Sequence, residues 1–303
     1  MPAPSASVPS SLRIAIVGAG QIGSTFARQL ARAGHDVAVV ARPGSVRLAQ
    51  LQRDGAIVDS GGGRAGVRVF DRLDATIAYD LVIVTLLAHQ VDAVIPDLQR
   101  SAAACVQFMG NMFDPDRLRH AIGAERCAFG MPFVQAMLDG NGRLTATIGA
   151  GGQKTIIGRH ESVDVFNAAD LPAVLEPDMP LWLRCHAPLC IAFQSISIAG
   201  VRRNGGASWT EALVLARGVH ACFALIERLG FPVYPRSKRL MARSPAAGLA
   251  AVLWAMSRIR SFRDLLATGK SECVALVDMI AAAGAGIAAP DLVARIVAMK
   301  PGG

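Results

Sequence analysis

The sequence predicts an α/β protein, with a doubly wound parallel sheet domain in the N-terminal part and an all-helical domain after it. Three observations carry this reading. Leu12 to Arg42 reads as a buried strand, a glycine turn, a helix and a second strand. Short apolar runs then alternate with helix-forming segments as far as Ile157, the pattern of a parallel sheet covered by helices. Past a cluster of prolines (Pro172, Pro177, Pro180, Pro188) the apolar spacing becomes helical almost to the end of the chain. The expected division is a flexible tail over 1–10, a sheet domain over 11–178 and a helical domain over 179–303.

Leu12 to Val17 is a nearly unbroken apolar run, which suits a strand buried on both faces of a parallel sheet. Gly18, Gly20 and Gly23 follow as G-x-G-x-x-G. The first glycine allows the tight turn, the second lets the backbone approach a pyrophosphate, and the third lets the helix pack closely on the strand. Unpaired N–H groups at the helix start would face the phosphates. Ile22, Phe26 and Leu30 form one apolar face, Arg28 and Arg32 fall elsewhere, and Gly34 sits where a C-terminal cap belongs. His35 to Ala41 is the second strand. A glycine motif framed in this way marks a Rossmann-type dinucleotide site. The end of the second strand reads Val40, Ala41, Arg42, Pro43 and offers no carboxylate to hold a ribose 2′-hydroxyl. Arg42 can pair with a 2′-phosphate instead, so the expected cofactor is NADP(H).

The remaining elements follow in order. Val46 to Asp54 is a short helix, and Ala56–Asp59 with Val67–Phe70 reads as a hairpin around Gly61 to Gly63. Asp80 to Leu87 is a buried strand, Gln90 to Gln99 a helix, and Ala103 to Phe108 a strand. Asp114 caps a helix reaching Ile122, with Pro115 in its first turn. Ala128–Met131, Leu144–Ile148 and Lys154–Ile157 are expected to complete the sheet. The helical part includes Ala207–Leu229, Ala246–Ile259 and Ser271–Ala283. In open α/β sheets a ligand lies beyond the carboxyl ends of the strands, so the cleft between the domains is the expected active site.

Composition narrows the function classes. Apolar residues make up 52% and the mean hydropathy is +0.38, which suits a packed core and a buried subunit interface, as in a homodimer. The most apolar stretch, Cys185 to Val201, contains His186, Gln194, Ser195 and Ser197 and reads as a buried helix, so no membrane span is expected. Residues 1–10 lack the basic start and apolar run of a signal peptide, which points to a cytoplasmic protein. The six cysteines show no C-x-x-C spacing and read as free thiols, without a metal site. The net charge of +8 comes from scattered arginines with few aromatics between them, which does not describe a nucleic-acid surface.

With these pieces placed, the chain resembles the ketopantoate reductase family. The resemblance runs through IVGAGQIGS, the VVAR strand end, DLVIVTLLAHQ, Gly110-Asn111, PLWLRCHA, ERLGFPVYP and a late GKSE at Gly269 to Glu272. It implies NADPH-dependent reduction of a small 2-keto acid, with hydride delivered to the carbonyl carbon and a protein acid protonating the oxygen. By resemblance Gly18, Ala19, Gly20, Gln21, Ile22, Gly23, Arg42, Leu86 and Asn111 would contact the cofactor, and Glu272 would help organise the site. The family lysines fall on Leu87 and Arg184, and the substrate asparagines on Pro188 and Ala192. Arginine seldom gives up a proton, although it can clamp a carboxylate. Arg184, His186 and Glu272 are therefore the catalytic candidates, and His89, Asn111, Arg184 and Ser261 the substrate-binding ones. Histidine, with an ordinary pKa near 6.5, suits a proton donor. Two other readings stay open: a reductase of an imine or another carbonyl in specialised metabolism, and a non-catalytic NADP(H)-binding sensor or scaffold.

Overall fold

A computed structural model of the chain describes residues 11–302, and the tail expected over 1–10 lies outside the described residues. The chain forms two compact units. One holds Met1–Gly110 and Asp116–Met179, and the other Asn111–Pro115 and Pro180–Gly303.

The first unit is an α/β sandwich. Its elements begin with β1 (Arg13–Val17), α1 (Gln21–Arg32), β2 (Asp36–Val40), α2 (Val46–Asp54), β3 (Ala56–Val58), β4 (Arg64–Gly66), β5 (Arg68–Phe70) and β6 (Leu81–Val84). A 3-10 turn over Ala88–Val94 leads into α3 (Ile95–Arg100), followed by β7 (Cys105–Met109) and α4 (Pro115–Ile122). Then come β8 (Cys127–Met131), β9 (Val134–Leu138), β10 (Leu144–Ile148), β11 (Thr155–Ile157), α5 (His160–Ala168) and β12 (Ala173–Leu175). The main sheet has the order β12-β11-β8-β7-β6-β1-β2-β5. From β5 to β8 every neighbouring pair is parallel, while β11 runs antiparallel to β8. The chain leaves β1 toward β2 and β5, then crosses back to β6 on the other side of β1. That reversal is the switch point at which doubly wound sheets bind ligands.

Four local expectations are corrected. The hairpin partner of β3 is β4, and the segment ending at Phe70 turns away as β5 to pair in parallel with β2. Leu144–Ile148 does not enter the main sheet; it pairs with β9 in a separate hairpin, and its exposed Thr145 and Thr147 suit that solvated position. The strand expected over Asp80–Leu87 stops at Val84, where the chain begins the turn toward Ala88. The helix expected over Gln90–Gln99 divides into the 3-10 turn and α3, because Pro96 stands in the first turn of α3.

The core of this unit sits between the sheet and its helices. Ile14 and Ile16 of β1, Phe26 and Leu30 of α1 and Phe166 of α5 are all fully buried. The rings of Phe26 and Phe166 meet edge to face, with centroids 5.0 Å apart and planes at 73°, the arrangement the ring quadrupoles favour.

The second unit is helical: α6 (Met179–Arg202, its first residue in the other unit), α7 (Trp209–Arg228), α8 (Arg236–Arg243), α9 (Ala246–Met256), α10 (Arg260–Leu266), α11 (Lys270–Gly286) and α12 (Pro290–Val297). Helix α7 starts with a reciprocal cap, Ser208 accepting from the Glu211 N–H and Glu211 accepting from the Ser208 N–H. Gly218 on α7 makes room for Met299, since a Cβ there would lie 2.2 Å from Met299 Cγ. By length and apolarity α7, rather than the Cys185–Val201 stretch, is the one described helix that could cross a membrane, and 56% of its most apolar window is buried.

Phe26→Ala is expected to destabilise the sheet unit by about 3–5 kcal/mol, through lost burial and the cavity left opposite Phe166. Met137→Ala on the exposed face of β9 is expected to cost under about 0.5 kcal/mol. Denaturant unfolding of both variants checks the contrast.

Candidate functional site

In the sheet unit, the glycine turn lies at the carboxyl ends of β1 and β6, at the switch point. Gly18 has φ +109°, open to glycine and strained for other residues. A Cβ on Gly23 would lie 1.9 Å from the Gly18 carbonyl oxygen and 2.6 Å from Thr85 Oγ1, so only glycine lets α1 sit this close to the turn. Thr85, the residue after β6, donates its hydroxyl to the Gly18 carbonyl at 2.9 Å. A Cβ on Gly20, by contrast, would meet nothing within 4 Å. The space over Gly20 is open, no side chain caps α1 there, and its first turn carries no acidic residue. A cradle of that kind, closed behind and open above an uncapped helix start, fits an anionic phosphate pair.

The other residues expected around the cofactor distribute about this turn. Ala19 is buried, and its carbonyl accepts from Ser24 Oγ and Arg47 Nε. Gln21 is exposed and Ile22 half-buried in the first turn of α1. Leu86 stands beside Gly18, its Cδ2 3.0 Å from the position of a Gly18 Cβ. Arg42 is exposed just past β2, with no acidic residue between it and Ser45, the cap of α2. His89 is exposed in the 3-10 turn after β6. Two supports were not expected from sequence: Thr85, and Arg47, which also bonds Ser24 Oγ at 3.0 Å and the Gly142 carbonyl at 2.8 Å. Their partners are distant in the chain, and no local spacing announces them.

The helical unit assembles a second polar group. Asn111, two residues beyond β7 in the chain, donates through Nδ2 to Glu272 Oε1 at 3.1 Å. Gln194 of α6 donates through Nε2 to Glu272 Oε2, also at 3.1 Å. Each oxygen of this carboxylate is thus held by an amide, and the acid lies in the first turn of α11, where the helix dipole favours negative charge. The Cys190 thiol donates to Asn111 Oδ1 at 2.9 Å. Burial, then the charge of Glu272, pushes this thiol up, so it keeps its proton and remains a donor. Gly269 admits the Gln194 amide, because a Cβ there would lie 2.6 Å from its Nε2. Gln194 is 8% exposed, and its Oε1 finds no hydrogen-bond partner among the described residues.

The residues of α6 that enter this group are not those expected from the resemblance. Cys190 and Gln194 do so, and His186 and Trp182 continue the same row at four-residue spacing. Arg184, Pro188 and Ala192 are offset from that row by two residues, about 200° around the helix. Arg184 is 5% exposed, with its guanidinium carbon 3.9 Å from the Phe231 ring centre and 5.6 Å from that of Phe113. Ser261 is exposed in the first turn of α10 and takes no part in the network.

His186 is brought close, but not as an acid. Its ring stacks on Trp182, with centroids 4.3 Å apart and planes at 26°. Burial, reinforced by the charge of Lys238, pushes its pKa down to about 3. At neutral pH the imidazolium fraction is then on the order of one in ten thousand, and the expectation of a donor near pKa 6.5 is overturned by desolvation. The neutral ring also carries a stability consequence. The unfolded chain takes up the proton near 6.5 and the folded chain only near 3, so stability is complete above 6.5 and falls as pH drops through that window. Unfolding free energy at pH 5 is expected to be lower than at pH 7.5, and His186→Phe, which keeps the stacking, is expected to narrow the difference. Denaturant titrations at the two pH values check it.

Comparison with known proteins adds the relationship. Residues 14–162 match the model of the family described as ketopantoate reductase PanE/ApbA. By sequence, no curated relative matches the chain. Among solved structures, a PanE/ApbA family ketopantoate reductase from Ralstonia eutropha JMP134 superposes with a TM-score of 0.68 at 19% identity, over 95% of this chain and 98% of that one. D-mandelate dehydrogenase in complex with NADH superposes with a TM-score of 0.67 at 16% identity, over 94% and 97%. The 2-dehydropantoate 2-reductase named as putative from Enterococcus faecalis gives 0.62 at 17%, over 95% and 98%. At these identities the structures establish the fold alone. Over residues 14–162 by sequence the chain is similar to the ketopantoate reductase family, and over nearly its whole length it shares the fold of that family's solved structures.

Proposed function

We propose that this protein is an NADPH-dependent reductase of the carbonyl group of a small 2-keto acid or a close relative of one. The observation that carries the proposal is the glycine turn at the switch point, closed by Gly23 and Thr85 behind and open over Gly20. The residues present fit a dinucleotide. The uncapped start of α1 would hold the pyrophosphate, and Arg42 would pair with the 2′-phosphate. The resemblance assigns Asn111 and Glu272 to the cofactor as well, and within the helical unit Gln194 and Cys190 keep those two side chains in place. The bound cofactor supplies a hydride. The protein's own tasks are to orient the carbonyl, exclude water and present a proton to its oxygen.

Among the structural neighbours, D-mandelate dehydrogenase was solved with NADH, and mandelate is a 2-hydroxy acid. That supports a 2-hydroxy acid and 2-keto acid pair as the substrate class and makes the choice between phosphorylated and unphosphorylated cofactor the decisive measurement. The absence of a carboxylate after β2 favours NADPH. A charge-assisted hydrogen bond to the 2′-phosphate is worth about 1.5–3 kcal/mol. Arg42→Ala is accordingly expected to weaken NADPH binding about 10- to 100-fold and leave NADH binding nearly unchanged, as read by fluorescence titration. Equal affinity of the parent chain for both cofactors would refute the NADPH assignment. A screen of 2-keto acids, other carbonyls and imines by loss of NADPH absorbance tests the reaction, and binding without turnover on any of them would favour the sensor reading.

A further inference from the structure

Arg47 stands in the first turn of α2, and every residue it touches belongs to the sheet unit. Its side chain is half-buried. Nε donates to the Ala19 carbonyl at 3.2 Å, Nη2 to Ser24 Oγ at 3.0 Å and Nη1 to the Gly142 carbonyl at 2.8 Å. All three acceptors are neutral, and among the described residues no carboxylate accepts from Arg47. Burial pushes its pKa down, with Asp54 acting in the opposite sense, but Asp54 is itself gripped by Arg53 through both carboxylate oxygens. The first turn of a helix is also the end at which the dipole disfavours a cation. Helix α2 therefore gains nothing electrostatically from Arg47, and a half-buried charge is left without an ion pair beside the glycine turn.

Ala19 lies between Gly18 and Gly20 in that turn. Its carbonyl accepts from Ser24 Oγ at 3.1 Å as well as from Arg47, so two donors fix one edge of the Ala19–Gly20 peptide. In a trans peptide the N–H lies on the opposite edge from the carbonyl. The Gly20 N–H is thus turned away from Arg47 and Ser24, at the uncapped start of α1. A carbonyl that accepts from a cation polarises its own peptide and makes that N–H a stronger donor.

The guanidinium is held from behind by the tip of the hairpin formed by β9 and β10. Arg47, Gln50 and Arg53, at three-residue spacing along α2, donate to the carbonyls of Gly142, Gly140 and Asn141 respectively. The tip is closed by Asp139, whose Oδ1 accepts from the N–H groups of Asn141 and Arg143 at 2.9 and 2.8 Å. Gly142 has φ +79°, and a Cβ there would lie 2.5 Å from Arg47 Nη1. A side chain at Gly142 cannot coexist with Arg47 in its present place.

We propose that Arg47 is a positioning residue for the dinucleotide pyrophosphate, and that the tip of the β9–β10 hairpin, through Gly142, is part of the cofactor site. The assignment rests on the dinucleotide reading above. Arg47 acts through the Ala19–Gly20 peptide and through its charge behind the turn, and the bound phosphates are the counter-charge it lacks. Both effects reach the pyrophosphate, which NADH and NADPH share. Arg47 is therefore blind to the 2′-phosphate, in contrast to the role given to Arg42.

The test compares the parent chain with Arg47→Met, Arg47→Lys, Gly142→Ala, the Arg47→Met/Gly142→Ala double variant and the control Met137→Ala on the exposed face of β9. NADH and NADPH are each titrated by fluorescence, and circular dichroism establishes that each variant is folded. Arg47→Met is expected to weaken both cofactors about 5- to 50-fold, with the ratio of the two affinities kept within about threefold. Arg47→Lys keeps the charge but loses the three-pronged grip, so its affinity is expected to fall between those of the parent and Arg47→Met. Gly142→Ala, 95 residues from Arg47 in the chain, is expected to weaken both cofactors about 3- to 20-fold. The double variant is expected to bind within about twofold of Arg47→Met, because both changes act through one guanidinium. Met137→Ala is expected to match the parent. Folded Arg47→Met or Gly142→Ala that binds both cofactors within about threefold of the parent overturns the proposal. A loss confined to NADPH also overturns it, since Arg47 would then be a ligand of the 2′-phosphate. If Arg47→Met does not fold, Arg47→Lys and Gly142→Ala decide by the same criteria. A parent chain that binds neither cofactor overturns the dinucleotide reading itself.

Discussion

The approach of helix α1 to the end of strand β1 is the contact on which the sheet unit depends. A Cβ on Gly23 would overlap the Gly18 carbonyl oxygen, and Thr85 closes the same point from the end of β6. Because three segments meet there, the switch point, the start of α1 and the open space over Gly20 are set together. An added methyl group at Gly23 would push the helix off the turn, and with it the backbone N–H groups that make the turn attractive to phosphate. The large apolar burial of Ile14, Ile16, Phe26 and Leu30 holds the layers together, but it does not by itself decide where an anion can bind.

The helical unit follows a different logic. Its polar residues are organised by one carboxylate. Glu272 draws an amide from Asn111 to one oxygen and an amide from Gln194 to the other, and Cys190 satisfies Asn111 from behind. Such a network is rigid only when its members are satisfied, and the unmatched Gln194 Oε1 is the point at which it remains incomplete among the described residues. Trp182 extends the arrangement, carrying an imidazole and an ammonium against one indole ring. Burial already disfavours a charge on the imidazole, and the Lys238 charge disfavours it further.

Three of the four positions at which the chain departs from the resemblance, Arg184, Pro188 and Ala192, lie on α6. Arginine at Arg184 and apolar residues at Pro188 and Ala192 look, from sequence, like a lost active site. The structure turns those positions away from the Glu272 network and brings Cys190 and Gln194 into it. A helix advances about 100° per residue, so a two-residue offset exchanges one face for the opposite one. Matching a motif by its tryptophan was sufficient to find the helix and insufficient to find the face that meets Asn111 and Glu272.

The sequence alone determined the α/β class, the dinucleotide turn and the helical second half. These are local properties: G-x-G-x-x-G between two apolar strands, alternating elements, and helical periodicity after Pro180 express themselves over a few consecutive residues. The resemblance named Asn111 and Glu272, and the hydrogen bond that joins them follows from no physical rule of spacing. Tertiary structure alone decided the pairing of β3 with β4, the face of α6, the supports Thr85 and Arg47, and the burial of Lys238 against Trp182. Each joins residues distant in the chain or selects one side of a helix, and such choices follow from packing, which no window of neighbouring residues contains.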